Sequence, residues 1–310
     1  MTRRKPRHFA DDLISRMREL GHPLCIGLDP HLGKIPPVFA RGDMAPASEE
    51  TAKAVEDFLL AVLDRAAGKV AVVKPQIAFF EQLGHRGIET LTRVVDRARS
   101  LDLLVLLDAK RGDIGSTADG YARAYLEPGS PIEVDAITLN PYLGLDSLEP
   151  FAARAEAHAR GLFVLVKTSN PGSGDLQNLE LADAPVYGAV AAALQPMAQR
   201  LEGKETGWSS LGVVVGATYP GEAQTVRERL PNAVFLVPGY GAQGGSAADA
   251  VKGFKPGPGG LEGGVVNSSR GILFPEAGDT AQAPAWEQAI DAALDQAIDE
   301  LGEAVSKGRA

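Results

Sequence analysis

Eight short apolar runs punctuate the chain: PLCIGLD near 23–29, VAVVKP near 70–75, LLVLLDAK near 103–110, VDAITL near 134–139, LFVLVK near 162–167, LGVVVG near 211–216, AVFLVPG near 233–239 and GVVNSSR near 264–270. Most are continuously apolar rather than alternating, the pattern of parallel strands buried on both faces. The intervals between them leave room for a crossover helix each time. Phe9, Leu13, Met17 and Leu20 step by four or three and predict a helix over about 8–20. Trp286, Ile290, Leu294, Ile298, Leu301 and Val305 predict another over about 284–306. Each helix is expected either on the outside of the strand array or across its base.

Strand and helix alternating eight times predict an α/β fold, a single (β/α)8 TIM barrel, with 1–310 as one domain and the barrel over about 23–275. A doubly wound open sheet is the alternative. The segments 31–48, 171–182 and 253–264 are expected to be loops or insertions, and the terminal SKGRA is expected to fray.

Composition narrows the function. The 310 residues are 45% hydrophobic and carry a net charge of −9. An acidic chain lacks the basic footprint of a nucleic-acid binder, yet a local Lys/Arg cluster can still hold a small anion in a cleft. The basic start MTRRKPRHFA is not followed by an apolar run of signal-peptide length, and no stretch is long enough to span a membrane. A cytoplasmic protein is expected. Cys25, the single cysteine, lies in an apolar run and is expected to be a buried core residue. The five histidines show no ligand spacing, so they are expected mostly at the surface, with no metal site.

Barrel enzymes place their chemistry where strands end, at the carboxyl face. Asp29, Lys74, Asp108, Lys110, Thr168, Ser169 and Arg270 occupy such ends. The strongest signal is LLVLLDAKRGDIGSTADGYA, in which an apolar run breaks into Asp108-Ala109-Lys110-Arg111-Gly112-Asp113. Residues two apart on a strand point the same way, so Asp108 and Lys110 are expected to project together into the barrel mouth while Ala109 faces the helices. Lys74 arrives from the neighbouring strand. Arg111 is expected to pair with an acidic neighbour, and Asp135 and Asn140 to serve the scaffold.

The loops after strands seven and eight are the usual phosphate site of such barrels. Here they contain Pro238, Gly239, Tyr240, Gly241 and Gln243, then Asn267, Ser268, Ser269 and Arg270. Glycines let backbone N–H groups approach an anion, and Arg270 can fork onto it. GYGAQG at 239–244 also fits the dinucleotide fingerprint. That fingerprint belongs to the first βα unit, with an acid ending the next strand. The run here follows strand seven and the next strand ends in Asn267-Ser268-Ser269, so the dinucleotide reading is set aside.

The string D-x-K-x-x-D-I-x-x-T, formed by Asp108, Lys110, Asp113, Ile114 and Thr117, resembles the orotidine 5'-monophosphate decarboxylase family, and DAKRGDIGSTA is similar to its longer bacterial subgroup. GLDP with Asp29, VVKPQ with Lys74, TSNPGS with Ser169, PGYGAQGG with Gln243 and NSSRGI with Arg270 follow in the family's order. The resemblance implies a homodimeric, cofactor-free enzyme that makes UMP from orotidine 5'-monophosphate. Lys110 would protonate C6, Asp108 would lie against the substrate carboxylate, and Lys74 and Asp113 would complete a Lys-Asp-Lys-Asp array. Asp113 and Thr117 would come from the partner subunit. Asp29 would contact the ribose hydroxyls, and Ser169, or Thr168 one residue away, would read the pyrimidine edge. Pro238, Gly239, Gln243 and Arg270 would hold the phosphate.

Two other readings compete. Related phosphosugar decarboxylases and aldolases share the D-x-K-x-x-D element but use magnesium and place an acid where strand two ends. Lys74 in that place repels a divalent cation. A barrel that only binds nucleotides is the other reading; tight UMP binding without turnover would establish it.

Overall fold

The computed structural model describes residues 7–217, 220–241 and 244–307. Its eight parallel strands are β1 (Leu24–Leu28), β2 (Val72–Pro75), β3 (Leu104–Arg111), β4 (Ala136–Leu139), β5 (Gly161–Lys167), β6 (Ser209–Val215), β7 (Ala233–Val237) and β8 (Gly264–Ser268). They close in the order β1-β8-β7-β6-β5-β4-β3-β2, which makes the fold a barrel and removes the open-sheet alternative. Helix α1 (Phe9–Leu20) precedes them; α2 (Glu49–Ala66), α3 (Gly84–Ser100), α4 (Gly115–Leu126), α5 (Glu149–His158), α6 (Val186–Arg200) and α7 (Pro220–Arg229) run between them; and α8 (Ala283–Ser306) follows the last strand. Among the described residues no helix is long and apolar enough to cross a membrane.

Alternation along each strand builds two cores. Leu24, Ile26 and Leu28 face outward under the helices, whereas Cys25 faces the barrel lumen with Val72, Leu106 and Phe163. Burial pushes the Cys25 thiol up to about 12, so it is an inert packing residue. The two terminal helices divide the roles expected of them. Trp286, Ile290, Leu294 and Leu301 of α8 join the outer core, and Phe9 and Leu13 of α1 join the inner one. The Phe9 ring meets Phe163 edge-on, with centroids 6.0 Å apart, and closes the barrel base.

Segment 253–264 is not a simple loop. Lys255–Gly257 and Gly260–Glu262 form an antiparallel ribbon before β8. Glu262 accepts both Arg18 Nε and Nη2 of α1 at 2.7 Å and the Trp208 indole N–H at 2.9 Å. The ribbon is therefore tied to the base helix, at the end of the barrel opposite the strand carboxyl ends. Arg227 of α7 holds the same region. Its buried guanidinium donates to the carbonyls of Gly253, Leu230, Ala233 and Gly263 at 2.6–3.1 Å and lies 3.8 Å from the Phe235 ring centroid.

The other two expected loops contain short turns, Leu32–Lys34 in the first and Pro171–Ser173 followed by the helix Gly174–Gln177 in the second. Ser306 and Lys307 of the SKGRA tail still belong to the last helix and its final turn; 308–310 lie outside the described residues. His22 departs from the expected surface placement. It is buried, its Nε2 bonds to the Lys69 carbonyl and its Nδ1 accepts the Leu24 N–H.

Candidate active site

The rim chemistry converges on one carboxylate. Asp108, at the end of the apolar part of β3, is buried and accepts four hydrogen bonds. Lys110 Nζ (2.6 Å) and Thr138 Oγ1 (2.9 Å) donate to Oδ1, and Lys74 Nζ and Gln76 Nε2 donate to Oδ2, both at 3.0 Å. Burial alone would favour the neutral acid. The Lys74 and Lys110 ammonium groups outweigh it and hold Asp108 far below the usual carboxylate range. Lys74 is buried too; desolvation works against its charge, but Asp108 and then Asp29 prevail and push it above the usual lysine value.

The expected co-projection of Asp108 and Lys110 is present, and Ala109 faces the outer core. The backbone there is not a plain strand. Pairing with β4 shifts between Leu107↔Ile137 and Arg111↔Leu139, and Lys110 adopts φ +47°, a left-handed conformation rare for a side-chain-bearing residue. Thr138 makes the kink tolerable: its hydroxyl accepts the N–H groups of Ala109 (2.9 Å) and Lys110 (2.8 Å) while donating to Asp108. Thr138 and Gln76 are the site residues that the sequence reasoning missed. Both sit beside recognised signals, Gln76 in VVKPQ and Thr138 in VDAITL.

Asp113 does not join the cluster within one chain; its Oδ1 accepts the Ile114 N–H at 2.8 Å, at the entry to α4. Thr117 lies exposed on that helix. Arg111 pairs with Glu81 at 2.7 Å, as expected. Asp135 accepts the Val105 N–H and pairs with Arg160, and Asn140 Oδ1 accepts the Tyr142 N–H; both serve the scaffold.

Asp29, just past β1, keeps Oδ1 buried with no hydrogen-bond partner among the described residues, and Asn267 of β8 does the same with its Oδ1. A buried acceptor without a donor is costly, and a ligand donor nearby relieves the cost. The Asn267 amide N–H donates to Ser269 Oγ at 3.1 Å.

Past β5, Thr168 commits its hydroxyl to Asn170 and Gln177, and its N–H to Gln177 Oε1 at 2.9 Å, which leaves Ser169 as the better candidate reader. Gly216 makes that turn possible, because a Cβ there would lie 2.9 Å from Ser169 Cα. Lys167, fully buried, donates to Ser173 Oγ (3.2 Å) and Asn178 Oδ1 (2.8 Å), so segment 173–178 folds back over the strand end.

After β7, Gly239, Gly241 and Gly244 all take positive φ, at 99°, 69° and 88°, a conformation that glycine adopts at little cost and that folds this loop tightly on itself. The Pro238 carbonyl accepts the Ala217 N–H at 2.9 Å and ties the loop to β6. Gln243 lies outside the described residues. Arg270 opens the short helix Arg270–Leu273, exposed at the rim. Among the described residues no group of three His, Cys, Asp or Glu side chains is arranged to hold a metal ion.

A closed barrel that gathers charged side chains at the carboxyl ends of its strands has the build of a barrel enzyme. Comparisons with known proteins narrow the class. Residues 22–283 match the family described as Orotidine 5'-phosphate decarboxylase / HUMPS. Orotidine 5'-phosphate decarboxylase of Rhodopirellula baltica is 43% identical over 302 residues, covering 94% of this chain and 98% of the relative, and that of Clostridium tetani is 43% identical over 265 residues, covering 85% and 88%. The structure of Leishmania donovani OMP decarboxylase is 32% identical, covers 96% of this chain and 98% of its own, and superposes with a TM-score of 0.74. The chain belongs to the orotidine 5'-phosphate decarboxylase / HUMPS family.

Proposed function

We propose that this chain converts orotidine 5'-monophosphate to UMP and carbon dioxide in pyrimidine biosynthesis, with neither metal nor organic cofactor. The observation that carries the reading is the Asp108 carboxylate held between Lys74 and Lys110 at hydrogen-bond distance. Decarboxylation of this pyrimidine leaves an electron pair on C6 with no internal sink. An ammonium fixed beside C6 stabilises that pair and then supplies the proton. In the proposed step the C6–carboxylate bond breaks, its electrons stay on C6, and Lys110 transfers a proton there and regains one from solvent.

Asp108 adds ground-state repulsion. A substrate carboxylate about 4 Å from it costs roughly 4 kcal/mol at an effective dielectric of 20. Departure of carbon dioxide relieves that cost, and binding of the remote phosphate offsets it beforehand. The Gly239–Gly245 loop and Arg270 are assigned to that phosphate, Asp29 to the ribose hydroxyls and Ser169 to the pyrimidine edge.

The site is read as shared. Asp113 caps the entry to α4 at the Ile114 N–H rather than bonding to the Lys-Asp-Lys cluster of its own chain, Thr117 is exposed, and Ile114 and Tyr142 are 59% and 83% exposed. Apolar surface of this kind marks a docking face, here for a second copy whose Asp113 would extend the array. A cytoplasmic homodimer with no nucleic-acid role fits the composition.

The test follows loss of orotate absorbance with EDTA present, wild type beside Lys110→Ala. EDTA-insensitive turnover in the wild type and a loss of at least about a thousandfold in the variant are expected. A well-folded wild type that binds UMP yet turns over no orotidine 5'-monophosphate would overturn the reading.

A further inference from the structure

We propose that Tyr240 and Glu300 form a positioning pair through which the C-terminal helix α8 sets the phosphate loop; the inference rests on the phosphate assignment above. The loop from Gly239 to Gly245 is held by its own backbone: Gly241 N–H to Gly245 O at 2.9 Å, Gly244 N–H to Gly241 O at 2.8 Å and Gly245 N–H to Gly239 O at 3.1 Å. Its glycines supply the conformation but no side chain with which to grip the body of the protein.

Tyr240 supplies that grip. Its ring is buried in the outer core and its hydroxyl donates to Glu300 Oε2 at 2.6 Å, sixty residues further along the chain. Burial, reinforced by the Glu300 carboxylate, pushes the phenol above its ordinary value, so it remains a donor. The acceptor is itself fixed, because Glu300 Oε1 takes the Gln296 amide N–H at 2.9 Å from one helical turn earlier. With Pro238 tied to Ala217, the loop is anchored on two sides, once to the barrel and once to α8.

A glycine-rich loop loses much conformational freedom when it orders around an anion, and anchoring it beforehand reduces that loss. The affinity for the phosphate-bearing substrate then depends on a carboxylate on an outer helix. The hydrogen bonds of the pair run to each other and to Gln296 rather than to the Lys-Asp-Lys cluster, so its influence is expected to be confined to substrates that carry the phosphate.

Steady-state kinetics with orotidine 5'-monophosphate and with its phosphate-free nucleoside, orotidine, test this in the full-length dimer. Glu300 lies on an exposed helical face, where alanine preserves the helix. Glu300→Ala and Tyr240→Phe are each expected to raise KM for the nucleotide about tenfold with kcat within about twofold, the effect of one lost hydrogen bond. The double variant should be no worse than either single, because both remove the same contact. For Glu300→Ala the orotidine kcat/KM should stay within about twofold of wild type. Equal losses on nucleotide and nucleoside, or an unchanged nucleotide KM, would overturn the proposal. Arg270→Ala separates the two levels. If it alone distinguishes nucleotide from nucleoside, the phosphate assignment stands and the positioning pair falls. If no variant distinguishes them, the phosphate assignment falls as well.

Discussion

Thr138 and Lys110 share one hydroxyl across neighbouring strands: the Thr138 oxygen accepts the Lys110 backbone N–H at 2.8 Å and at the same time donates to Asp108, the carboxylate that Lys110's own side chain grips. Backbone and side chain of the proposed proton donor are thus both referred to one buried threonine. Thr138→Val keeps the shape and removes the hydroxyl, leaving the Ala109 and Lys110 N–H groups without this acceptor and Asp108 Oδ1 with Lys110 as its remaining donor. A loss of about 2–3 kcal/mol in stability is expected. So is a fall in kcat of roughly 10- to 100-fold with a smaller change in KM. Thr138→Ser should recover most of the kcat, whereas a serine variant as slow as the valine one would show that the hydroxyl is not what counts.

The shared-site reading makes a quantitative statement about mixtures. Asp113→Asn and Lys110→Ala homodimers should each be nearly inactive. After subunit exchange, half the dimers are mixed and each has one intact site of its two, so about a quarter of wild-type activity should return. No recovery in a mixture shown to contain mixed dimers would place Asp113 outside the partner's site.

Glu133 gives the base of the barrel a pH signature separate from the chemistry. It is buried and accepts Arg160 Nη2 (2.6 Å), Arg99 Nη2 (2.7 Å) and the Gly129 N–H (2.8 Å). Burial opposes its charge, but the Gly129 N–H and then the two arginines prevail and bring it from 4.5 to about 2. A carboxylate depressed on folding stabilises above its unfolded pKa, and that contribution fades as pH falls toward the folded value. The difference corresponds to about 3 kcal/mol. In urea titrations Glu133→Gln should trail the wild type by about that much at pH 7 and by roughly half as much at pH 3. A gap independent of pH would mean that the deficit comes from packing rather than charge.

Arg227 should matter for endurance and not for rate. Burial pulls its guanidinium down to about 9, and it serves four backbone carbonyls around the ribbon at the barrel base. Lysine cannot span four acceptors from one planar fork. Arg227→Lys is expected to lower Tm by about 5 °C or more while kcat/KM at 25 °C stays within about twofold. A large kinetic defect at unchanged Tm would contradict this division between base and rim.

The barrel and the heart of the site were legible in the chain because burial leaves coarse marks. Eight apolar runs gave eight strands, and Asp108 and Lys74 stood out as charges where such runs end. What escaped depends on pairing rather than composition. Thr138 reads as an ordinary β-former until β3 bulges against β4 and brings two N–H groups to its hydroxyl. Lys167 was passed over as the last residue of a strand, yet it reaches Asn178 eleven residues on. The ribbon at 255–262 hid in a Gly/Pro-rich stretch that Trp208, Arg18 and Arg227 hold from far along the chain. Segment 253–264 lies between the two loops proposed for phosphate in sequence but at the opposite end of the barrel in space.

The left-handed backbone at Lys110 sets the fold and the chemistry against each other at a single residue. Glycine would occupy that conformation with about 1 kcal/mol less strain, but it would also take away the ammonium that, together with Lys74, keeps the buried Asp108 charged. The proposed proton donor thus stands where backbone preference alone would not put a lysine, and its ion pair with Asp108 offsets the strain of standing there.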